Sequence, residues 1–419
     1  MNLVFVESNT TGSGMRAFAK ASALGLTPVL ATADPSRYDG LAATGARIVT
    51  CDTNDEHGLA AKLAAQVGDL AGVTTTSEFY VTTAARAAAE LGLPGNPPDA
   101  VAACRNKGAM RRLLAAAHLP SPVFRLVGAG RDLRTQVLFA LSCIALPCVV
   151  KPVDDTGSLG VVLCSTAREA VTAAEAVVST TTNVRGQPAA RAALVEGYLN
   201  GPEFSLEMLS TGERHECVGI VAKRLTSPPN FVERGHVFPA VLARDESAVL
   251  LDTARRALDV VGITHGVTHI EMKLIDGRGY VVEINARPAG GMIPEVIARS
   301  CGFDLLDAHL RAAAGLPLRP CPLSFSPAGI AFLLAPEGLG EREAVLRHVG
   351  GVAEALAVPG VDAVTITAAP GARVRPPRSS YDRLGYAIAH AATHIELDLA
   401  LERALGSLQL LLDPTIGIP

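Results

Sequence analysis

Apolar segments of strand length alternate with helical segments over the first hundred residues. The strand segments are NLVFVE, TPVLAT, ARIVTC and LAGVTTT, and helical patterns run over 13–24, 56–67 and 78–91. This alternation predicts a parallel sheet with right-handed crossovers, and the turn residues of GLPGNPP end the series. The sequence therefore predicts a Rossmann-like domain over residues 1–97.

The pattern changes after a predicted helix over 98–118. Short apolar strands (PCVVKP, GVVLC and AALVEGY) surround a predicted helix at 166–178, and THIEMKLI and YVVEINA flank DGRG, a strong hairpin signal. Beyond LPLRPCP come the strands AGIAFLLAP, VDAVTIT and LGYAIAHA and a final predicted helix over 396–412. We expect a mixture of α/β and α+β structure: a second domain over 98–318, with a lid at 122–196, and an α+β cap domain over 319–419.

The hairpin carries a polar face on each strand. The first strand presents His269, Glu271 and Lys273, and the second presents Val281, Glu283 and Asn285 opposite an apolar face of Tyr280, Val282 and Ile284. Matching apolar faces would place Glu271 across from or diagonal to Glu283, where like charges repel. A divalent cation bound by both carboxylates would turn this repulsion into a net attraction. Carboxylate and amide oxygens are ligands that suit a Mg²⁺ ion that also binds phosphates. The alternative is a solvated face of a surface hairpin.

Lysine and glycine positions upstream indicate a phosphate site. Lys151 ends a buried strand in VVKPVDDTGSLGV, and DDTGSLG is a turn whose backbone N–H groups can surround a phosphate. Such a turn is weak evidence alone, but close behind a lysine it becomes a candidate lid over a nucleotide. The segment LVEGYLNGPEFSLE then places Glu196 and Glu203 on either side of a bend.

The order of these motifs resembles the ATP-grasp superfamily of carboxylate–amine ligases. The matching positions are Lys107, Lys151-Pro152, the loop 155–160, Glu196-x-Tyr198-Leu199-x-Gly201-x-Glu203, Glu271 and Glu283-x-Asn285-x-Arg287, over roughly residues 100 to 315. HIEMKL, NARPAGG, FVERGHVFPA and the C-terminal SSYDRLGYAIAHAATHIELDLALERAL are similar to bacterial L-amino acid ligases, which form dipeptides. The resemblance implies an ATP-grasp fold between a Rossmann-like domain and an α+β cap.

The resemblance also implies how ATP and Mg²⁺ are held. Lys107 and Lys151 would contact the α- and β-phosphates, and the main chain of Thr156, Gly157, Ser158, Leu159 and Gly160 would close over the β and γ groups. Adenine would lie against Glu196, Tyr198 and Leu199, with the ribose hydroxyls on Glu203. Two Mg²⁺ ions, for which Mn²⁺ could substitute, would be carried by Glu271, Glu283 and Asn285.

Catalysis and substrate binding are assigned by the same resemblance. Arg287 would brace the transferring phosphoryl group and, with Lys151, is the expected catalytic pair. The substrate side would contain Glu78, His236, Gly290 and Gly291 beside Arg287. Other interpretations stay open here: a carboxylate suits the start of a helix in any protein, and a glycine pair suits a tight turn.

The implied reaction is ATP-dependent peptide or amide bond formation through an acyl phosphate, as in natural product biosynthesis. One alternative is a ligase of purine or cofactor metabolism, and another is a non-catalytic nucleotide-binding regulator. Gly12-x-Gly14-x-x-Ala17, with Asp34 further on, also fits a dinucleotide turn. Because no nicotinamide-type catalytic set accompanies it, we expect this loop to face the ligase cleft instead.

Composition narrows the classes of partner. A net charge of -4 and a pI near 6.2 give no basic footprint for nucleic acid. The longest apolar run falls short of a membrane span, and MNLVFVESN shows no signal-peptide pattern. Eight cysteines without a CxxC pair favour reduced thiols and a cytoplasmic location. We expect small-molecule carboxylate and amine substrates, neither nucleic acid nor membrane as a partner, and a homodimer, which is common among similar ligases.

Overall fold

Four β-sheets organise the chain in the computed structural model, which describes residues 1–10, 12–130, 132–339 and 342–414. The elements up to residue 197 are β1 (Asn2–Val6), α1 (Ser13–Ala23), β2 (Thr27–Thr32), β3 (Arg47–Thr50), α2 (Leu59–Gln66), β4 (Leu70–Thr74), α3 (Val81–Glu90), α4 (Pro98–Arg105), α5 (Lys107–Ala116), β5 (Phe124–Gly128), α6 (Leu133–Leu141), β6 (Cys148–Pro152), β7 (Val162–Cys164), α7 (Ala167–Ser179) and β8 (Ala192–Gly197).

The elements after residue 200 are β9 (Glu203–Thr211), β10 (Arg214–Leu225), β11 (Glu233–Phe238), α8 (Arg244–Val261), β12 (His265–Ile275), β13 (Arg278–Asn285), α9 (Ile293–Cys301), α10 (Leu305–Ala313), β14 (Ala328–Leu333), β15 (Ala344–Gly350), α11 (Val352–Leu356), β16 (Val361–Ile366), β17 (Arg373–Val374), β18 (Gly385–His390), α12 (His394–Ser407) and β19 (Gln409–Pro414). Among the described helices, not one combines the length and the apolar character that crossing a membrane requires.

The N-terminal sheet is parallel, in the order β3-β2-β1-β4. Its central strand β1 is buried on both faces, as a continuous apolar run requires. Leu3 and Phe5 pack with α1 and α10, while Val4 and Val6 pack with α2 and α3. The predicted parallel α/β series is confirmed. The helix predicted from residue 78 begins instead with a 3₁₀ turn at Glu78–Tyr80, and α3 follows it.

A second sheet, in the order β5-β8-β6-β7, is antiparallel and is called the lid sheet below, because it is built from the segment predicted as a lid. Helices α6 and α7 pack on it through an apolar cluster. The helix predicted over 98–118 is two helices, because Asn106 adopts an extended conformation and its side chain accepts the N–H of Ala109. This cap places Lys107 in the first turn of α5.

The largest sheet is antiparallel and runs in the order β13-β12-β9-β10-β11-β14-β18-β16. One apolar cluster joins β9, β12 and β13 to α4, α5 and α8, and another joins β10, β11 and β14 to α9 and α10. Strands β14, β16 and β18 follow the predicted boundary at 318/319, so hydrogen bonding continues across it. The predicted domain boundaries remain a proposal.

Strands β12 and β13 form the predicted hairpin, but two side chains of β13 lie on the opposite face from the one predicted. Glu271 pairs with Glu283, and the next pair is Met272 with Val281, which leaves Val282 as an extra residue in β13. A β-bulge of this kind reverses the alternation of side chains. Val281 is therefore buried in the core, while Val282 lines the cleft described below. The predicted placement of these two valines is wrong.

The C-terminal part adds a three-stranded sheet in the order β17-β15-β19. The helix predicted over 396–412 is wrong at both ends. Helix α12 begins at His394, two residues before the predicted start, and ends at Ser407. Thr393 caps it in a capping box with Glu396. Residues 409–414 form β19, which pairs with β15. The pattern of a short apolar run is compatible with a helix or a strand. Residues 409–414 form a strand because they pair with β15.

The glycine turn after β1 approaches Met292, the residue that precedes α9. A Cβ at Gly14 would lie 1.9 Å from the carbonyl oxygen of Asn9, so the turn requires glycine there. A Cβ at Gly12 would lie 3.3 Å from Met292 Sδ, next to the glycine pair of the candidate site. Asp34 caps a 3₁₀ turn through Ser36. This contact places the loop next to the glycine pair, and that the loop faces the cleft remains a prediction.

A glycine substitution tests how tightly the N-terminal sheet packs on α10. A Cβ at Gly72 in β4 would lie 1.9 Å from the backbone oxygen of Ala313, and backbone cannot easily move aside. We expect Gly72→Ala to lower the free energy of unfolding by about 1–3 kcal/mol, the usual cost of overpacking. Gly406→Ala is the control, because a Cβ there meets no atom within 4 Å and should stabilise α12 by about 0.4–1 kcal/mol. Urea unfolding midpoints check both, and shifts of the same sign and size would contradict the predicted contact.

Candidate active site

A cleft between the lid sheet and the eight-stranded sheet contains most of the predicted site residues. Those that line it are Lys107, Lys151, Thr156, Gly157, Ser158, Leu159, Glu196, Tyr198, Leu199, Glu203, His236, Glu271, Glu283, Asn285, Arg287, Gly290 and Gly291. Two predicted residues are not part of this lining. A Cβ at Gly160 would face the ring of Pro152, and Glu78 lies next to the cleft through its contacts with Arg287 and Asn285.

Lys151 is the penultimate residue of β6, and its ammonium group is buried in the lining of the cleft. Its Nζ lies 2.6 Å from one oxygen of Glu196 on β8, and Arg111 Nε binds the other oxygen at 2.9 Å. Burial opposes a charge on this carboxyl, but Arg111 and Lys151 outweigh it and lower the pKa of Glu196 to about 2. Burial also lowers the pKa of Lys151, against the attraction of Glu196. The side chain of Glu196 therefore fixes Lys151 in place.

Lys107 connects the glycine-rich loop to the carboxylates of the hairpin. Its Nζ donates to the backbone oxygen of Asp155 at 2.6 Å and lies 3.1 Å from Glu283 Oε1. The ammonium group is almost entirely buried, so its charge acts at short range with little screening by solvent. Lys107 is thus placed between the two groups that a metal–nucleotide would have to approach.

The glycine-rich loop has the backbone shape of an anion-binding turn. Gly157, Ser158 and Gly160 have φ values of 69°, 58° and 70°, and their N–H groups donate to no atom of the described residues. Successive N–H groups in such a turn form a concave site for anions. The loop is anchored from outside, because Ser158 Oγ donates to Phe231 O at 2.8 Å and Gly157 O accepts the N–H of Ser380 at 3.0 Å.

The predicted adenine and ribose contacts follow β8. Tyr198 and Leu199 line the cleft, with the ring of Tyr198 centred 5.9 Å from that of Phe231. Glu203 opens β9, and its two oxygens lie 2.9 Å from Lys223 Nζ and 3.5 Å from Lys273 Nζ. Their roles toward a nucleotide remain predictions.

Glu271 and Glu283 face each other as a register pair, as the sequence predicted. Lys223 Nζ lies 2.8 Å from Glu271 Oε1, and His269 Nε2 lies 3.3 Å from the same oxygen. Although burial opposes it, Lys223 holds the pKa of Glu271 well below its usual range. Burial also opposes the charge of His269, yet Glu207 and Glu271 raise its pKa to about 10. Glu271 is therefore ionised, and the oxygens of Glu271 and Glu283 are the hard ligands that Mg²⁺ prefers.

The donor set fits a cation that is also held by phosphates. Within the ranges that the structure describes, no group of three or more His, Cys, Asp or Glu side chains is arranged to hold a metal ion alone. Glu271 and Glu283 supply two carboxylates, and Asn285 continues the same strand beside them. With its amide oriented to satisfy its neighbours, Asn285 donates to Glu283 Oε1 at 3.2 Å and to Glu78 Oε2 at 2.9 Å. Mg²⁺ commonly binds in this way, through few carboxylates plus substrate phosphates.

Arg287 is held by a carboxylate from the N-terminal part of the chain. Its Nε lies 2.7 Å from Glu78 Oε2, as an ion pair without hydrogen-bond geometry, and Nη1 donates to Pro288 O at 2.8 Å. Both side chains are buried. Glu78 was predicted to approach the substrate, and the structure places it behind Arg287, where it can orient the guanidinium group.

His236 and Gly291 meet on the side of the cleft away from Lys151. The imidazole is fully buried, neither ring nitrogen has a hydrogen-bond partner among the described residues, and Glu233 Oε2 lies 3.8 Å from Nε2. Burial, opposed by Glu233, lowers the pKa of His236 to about 3, so the ring is neutral. A Cβ at Gly291 would lie 2.7 Å from His236 Nε2, which leaves room only for glycine. Gly290 lines the cleft beside them.

Several charged residues in or next to the cleft, such as Arg111, Lys223 and Arg383, were not among the predicted site residues. Arg111 lies one helical turn after Lys107 in α5, and this i, i+4 spacing was an available signal. Lys223 on β10 contacts Glu203, Glu233 and Glu271 at 2.8–2.9 Å. Arg383 enters from the turn before β18 and binds Glu233. Nothing in the local pattern around Lys223 or Arg383 indicates these contacts, because their partners are distant in sequence.

Known proteins match this chain in two regions and along its length. Residues 144–295 match the ATP-grasp domain family, and residues 339–413 match the L-amino acid ligase C-terminal domain 2. The protein y4rH of Sinorhizobium fredii is 30% identical and is covered over 83% of its length by 98% of this chain. Alanine–anticapsin ligase of Bacillus subtilis is 27% identical over 54% of this chain, and carnosine synthase 1 of Gallus gallus is 28% identical over 62%. The chain spans only 50% and 29% of the length of these last two proteins.

Solved structures share the whole architecture. L-amino acid ligase from Bacillus licheniformis superposes with a TM-score of 0.80 at 23% identity, over 98% of both chains. N5-carboxyaminoimidazole ribonucleotide synthetase from Thermotoga maritima superposes with a TM-score of 0.72 at 17% identity, over 98% of this chain and 99% of the other. At such identities the likeness establishes the ATP-grasp fold, as the sequence predicted. With the two domain matches and the relative that matches along nearly the whole chain, it shows that the protein belongs to the ATP-grasp ligases, in the branch that carries an L-amino acid ligase C-terminal domain.

Proposed function

We propose that this enzyme activates the carboxylate of an amino acid with ATP and joins it to an amine, releasing ADP and phosphate. The observation that carries the proposal is the Glu271–Glu283 pair in one cleft with Lys107, Lys151 and Arg287. Phosphoryl transfer requires positioned cations more than covalent help from the protein. This cleft supplies such cations, Lys107, Lys151 and Arg287, together with the unpaired amides of the glycine-rich loop.

The donor set supports ATP and Mg²⁺, which ATP-grasp enzymes use. Glu271, Glu283 and Asn285 would hold the cation, as two ions for which Mn²⁺ could substitute. Bound there, Mg²⁺ would neutralise charge on the phosphates. Lys107, Lys151 and the loop amides would bind the phosphate oxygens, and the segment up to Leu199 would contact adenine.

The reaction balances as two substitutions. An oxygen of the substrate carboxylate attacks the γ-phosphorus of ATP, the bond to the bridging oxygen breaks, and ADP leaves. The amine nitrogen then attacks the acyl carbon, the C–O bond to phosphate breaks, and the nitrogen loses a proton to the phosphate or to solvent. Arg287 faces this region and would stabilise charge on the transferring group and on the tetrahedral oxyanion. The lid excludes water, which would otherwise hydrolyse the acyl phosphate.

An amino acid as the activated substrate is supported by the relatives. The C-terminal domain family is named for L-amino acid ligases, and alanine–anticapsin ligase and carnosine synthase 1 are among the matches. A ligase of purine metabolism is the second candidate, since N5-carboxyaminoimidazole ribonucleotide synthetases share the fold. A non-catalytic regulator is less well supported, because Arg287 and both hairpin carboxylates are retained. Domains at 1–97, 98–318 and 319–419, a cytoplasmic location and a homodimer complete the proposal.

A substrate matrix tests the proposed reaction. Purified protein with Mg-ATP is incubated with single and paired amino acids, and ADP, phosphate and condensed product are measured, the last by mass spectrometry. We expect ADP release in wells whose product has the mass of two substrates less one water. Wells with 5-aminoimidazole ribonucleotide and bicarbonate represent the purine alternative. AMP with pyrophosphate would contradict the acyl phosphate, and ATP binding with no turnover in any well would favour the regulator.

Two substitutions test the site assignment. Glu283→Gln keeps the size of the side chain but removes one carboxylate of the hairpin pair, and we expect metal-dependent turnover to be lost. Arg287→Met should lower kcat by at least about 10²-fold, the usual effect of losing one group that stabilises developing charge. Glu213→Gln, in the exposed turn between β9 and β10, is the matched control. Full turnover in either cleft variant, measured as ADP release over a Mg²⁺ titration, would overturn the assignment.

A further inference from the structure

Arg383 is presented to the cleft by a rigid turn of the C-terminal part. The turn Ser380–Asp382 is closed by a capping box in which Asp382 accepts the N–H of Ser379 at 2.9 Å. Arg375 Nε lies 3.1 Å from the same carboxylate. Ser380 donates its N–H to Gly157 O, so this turn also touches the glycine-rich loop. Arg383 follows directly and lines the cleft.

Three contacts fix the guanidinium group and leave one edge free. Its Nη2 lies 2.5 Å from Glu233 Oε2, and its Nε donates to Glu233 O at 3.2 Å. The guanidinium carbon lies 3.8 Å from the centre of the Phe332 ring, a stacking contact that arginine makes better than lysine. Nη1 donates to no atom of the described residues. The side chain is only 13% exposed, so Nη1 is part of a guanidinium group that is fixed in place and not of a mobile surface arginine.

The neighbours of Arg383 belong to the substrate side of the cleft. The ring of His236 is centred 5.5 Å from that of Phe332, nearly perpendicular to it. A Cβ at Gly291 would contact both rings, at 2.7 Å from His236 Nε2 and 3.7 Å from Phe332 Cζ. Arg383, His236 and Gly291 all line the cleft, and Phe332, which is not part of the lining, packs against them and joins them into one wall. His236 is neutral, and Glu233 is an anion that is already paired with Lys223. Arg383 is therefore the residue of this wall that can donate a charged hydrogen bond to a ligand.

We propose that Arg383 binds the carboxylate of the amine-donating substrate, so that the acceptor is an amino acid and not a simple amine. This rests on the proposed function and specifies the substrate class at the same site. A carboxylate at the free edge would receive a charge-assisted hydrogen bond from a donor already held in position. The glycine at 291 keeps the wall open beside it. The other anion within reach is a phosphoryl oxygen of the nucleotide, because Ser380 touches the glycine-rich loop.

The test compares an acceptor amino acid with its own primary amide, which keeps the amine and the side chain but lacks the negative charge. The acceptor is one found active in the substrate matrix. We expect kcat/KM of the wild type to favour the acid by about 10- to 100-fold, the usual range for a hydrogen bond to a charged group. Arg383→Met should bring the acid-to-amide ratio close to one, mainly through the KM of the acid. Arg383→Lys should restore part of the preference.

The preference ratio separates this role from a structural one. Loss of folded protein would lower both rates together and leave the ratio unchanged, so an unchanged ratio in Arg383→Met overturns the proposal. An equal loss with both acceptors and a raised KM for ATP would assign Arg383 to the phosphoryl group and would also overturn it. Arg378→Met, an exposed arginine before the same turn, is the control and should keep the wild-type ratio. A wild type without amino-acid-dependent ADP release would instead overturn the proposed function itself.

Discussion

Two carboxylates, Glu271 and Glu283, are held opposite each other across an antiparallel pair of strands, and the arrangement of the cleft follows from that constraint. The pairing is repulsive by itself. It is compensated by Lys223 from β10 beside one carboxylate and by Lys107 from α5 beside the other. Removing one member of such a buried set leaves an uncompensated charge, at a cost of about 3–5 kcal/mol. The register of β12 and β13 is therefore tied to a strand and a helix outside the hairpin.

The same constraint brings distant parts of the chain to one place. Glu78 comes from the N-terminal part and holds Arg287, while Arg383 comes from the C-terminal part and holds Glu233, which shares Lys223 with Glu271. Each contact is an ion pair between side chains that are mostly buried, where screening by solvent is weak. The cleft is thus complete only when all parts of the chain are packed, and a ligand that binds it also stabilises their packing.

The sequence predicted the parts of this site that local pattern determines. Matching the apolar faces was enough to place Glu271 across from or diagonal to Glu283. The two-residue turn alone would pair Glu271 with Val282, and the bulge at Val282 shifts the register so that Glu271 pairs with Glu283. The bulge was not predictable, because Val281 and Val282 are equally apolar and only packing against the core distinguishes them. The break at Asn106 did have a local signal, a capping residue, whereas residues 409–414 fit helix and strand alike until β15 is known. Contacts of Lys223 and Arg383 depend on tertiary structure alone, so no spacing rule reveals them.

The two sides of the cleft differ in whether a ligand has to break an existing ion pair when it binds. On the proposed phosphate side Lys107 and Glu283 neutralise each other. When a metal–nucleotide binds, a phosphate oxygen would replace Glu283 as the partner of Lys107. A divalent cation would replace Lys107 as the partner of Glu283. No charge is left unpaired in that exchange, so binding need not pay the full cost of desolvating new ions. On the substrate side His236 is neutral and Arg383 keeps a free donor, so nothing has to be displaced. A zwitterionic substrate would suit the proposed substrate side, because its carboxylate would gain Arg383 as a partner without breaking an existing ion pair.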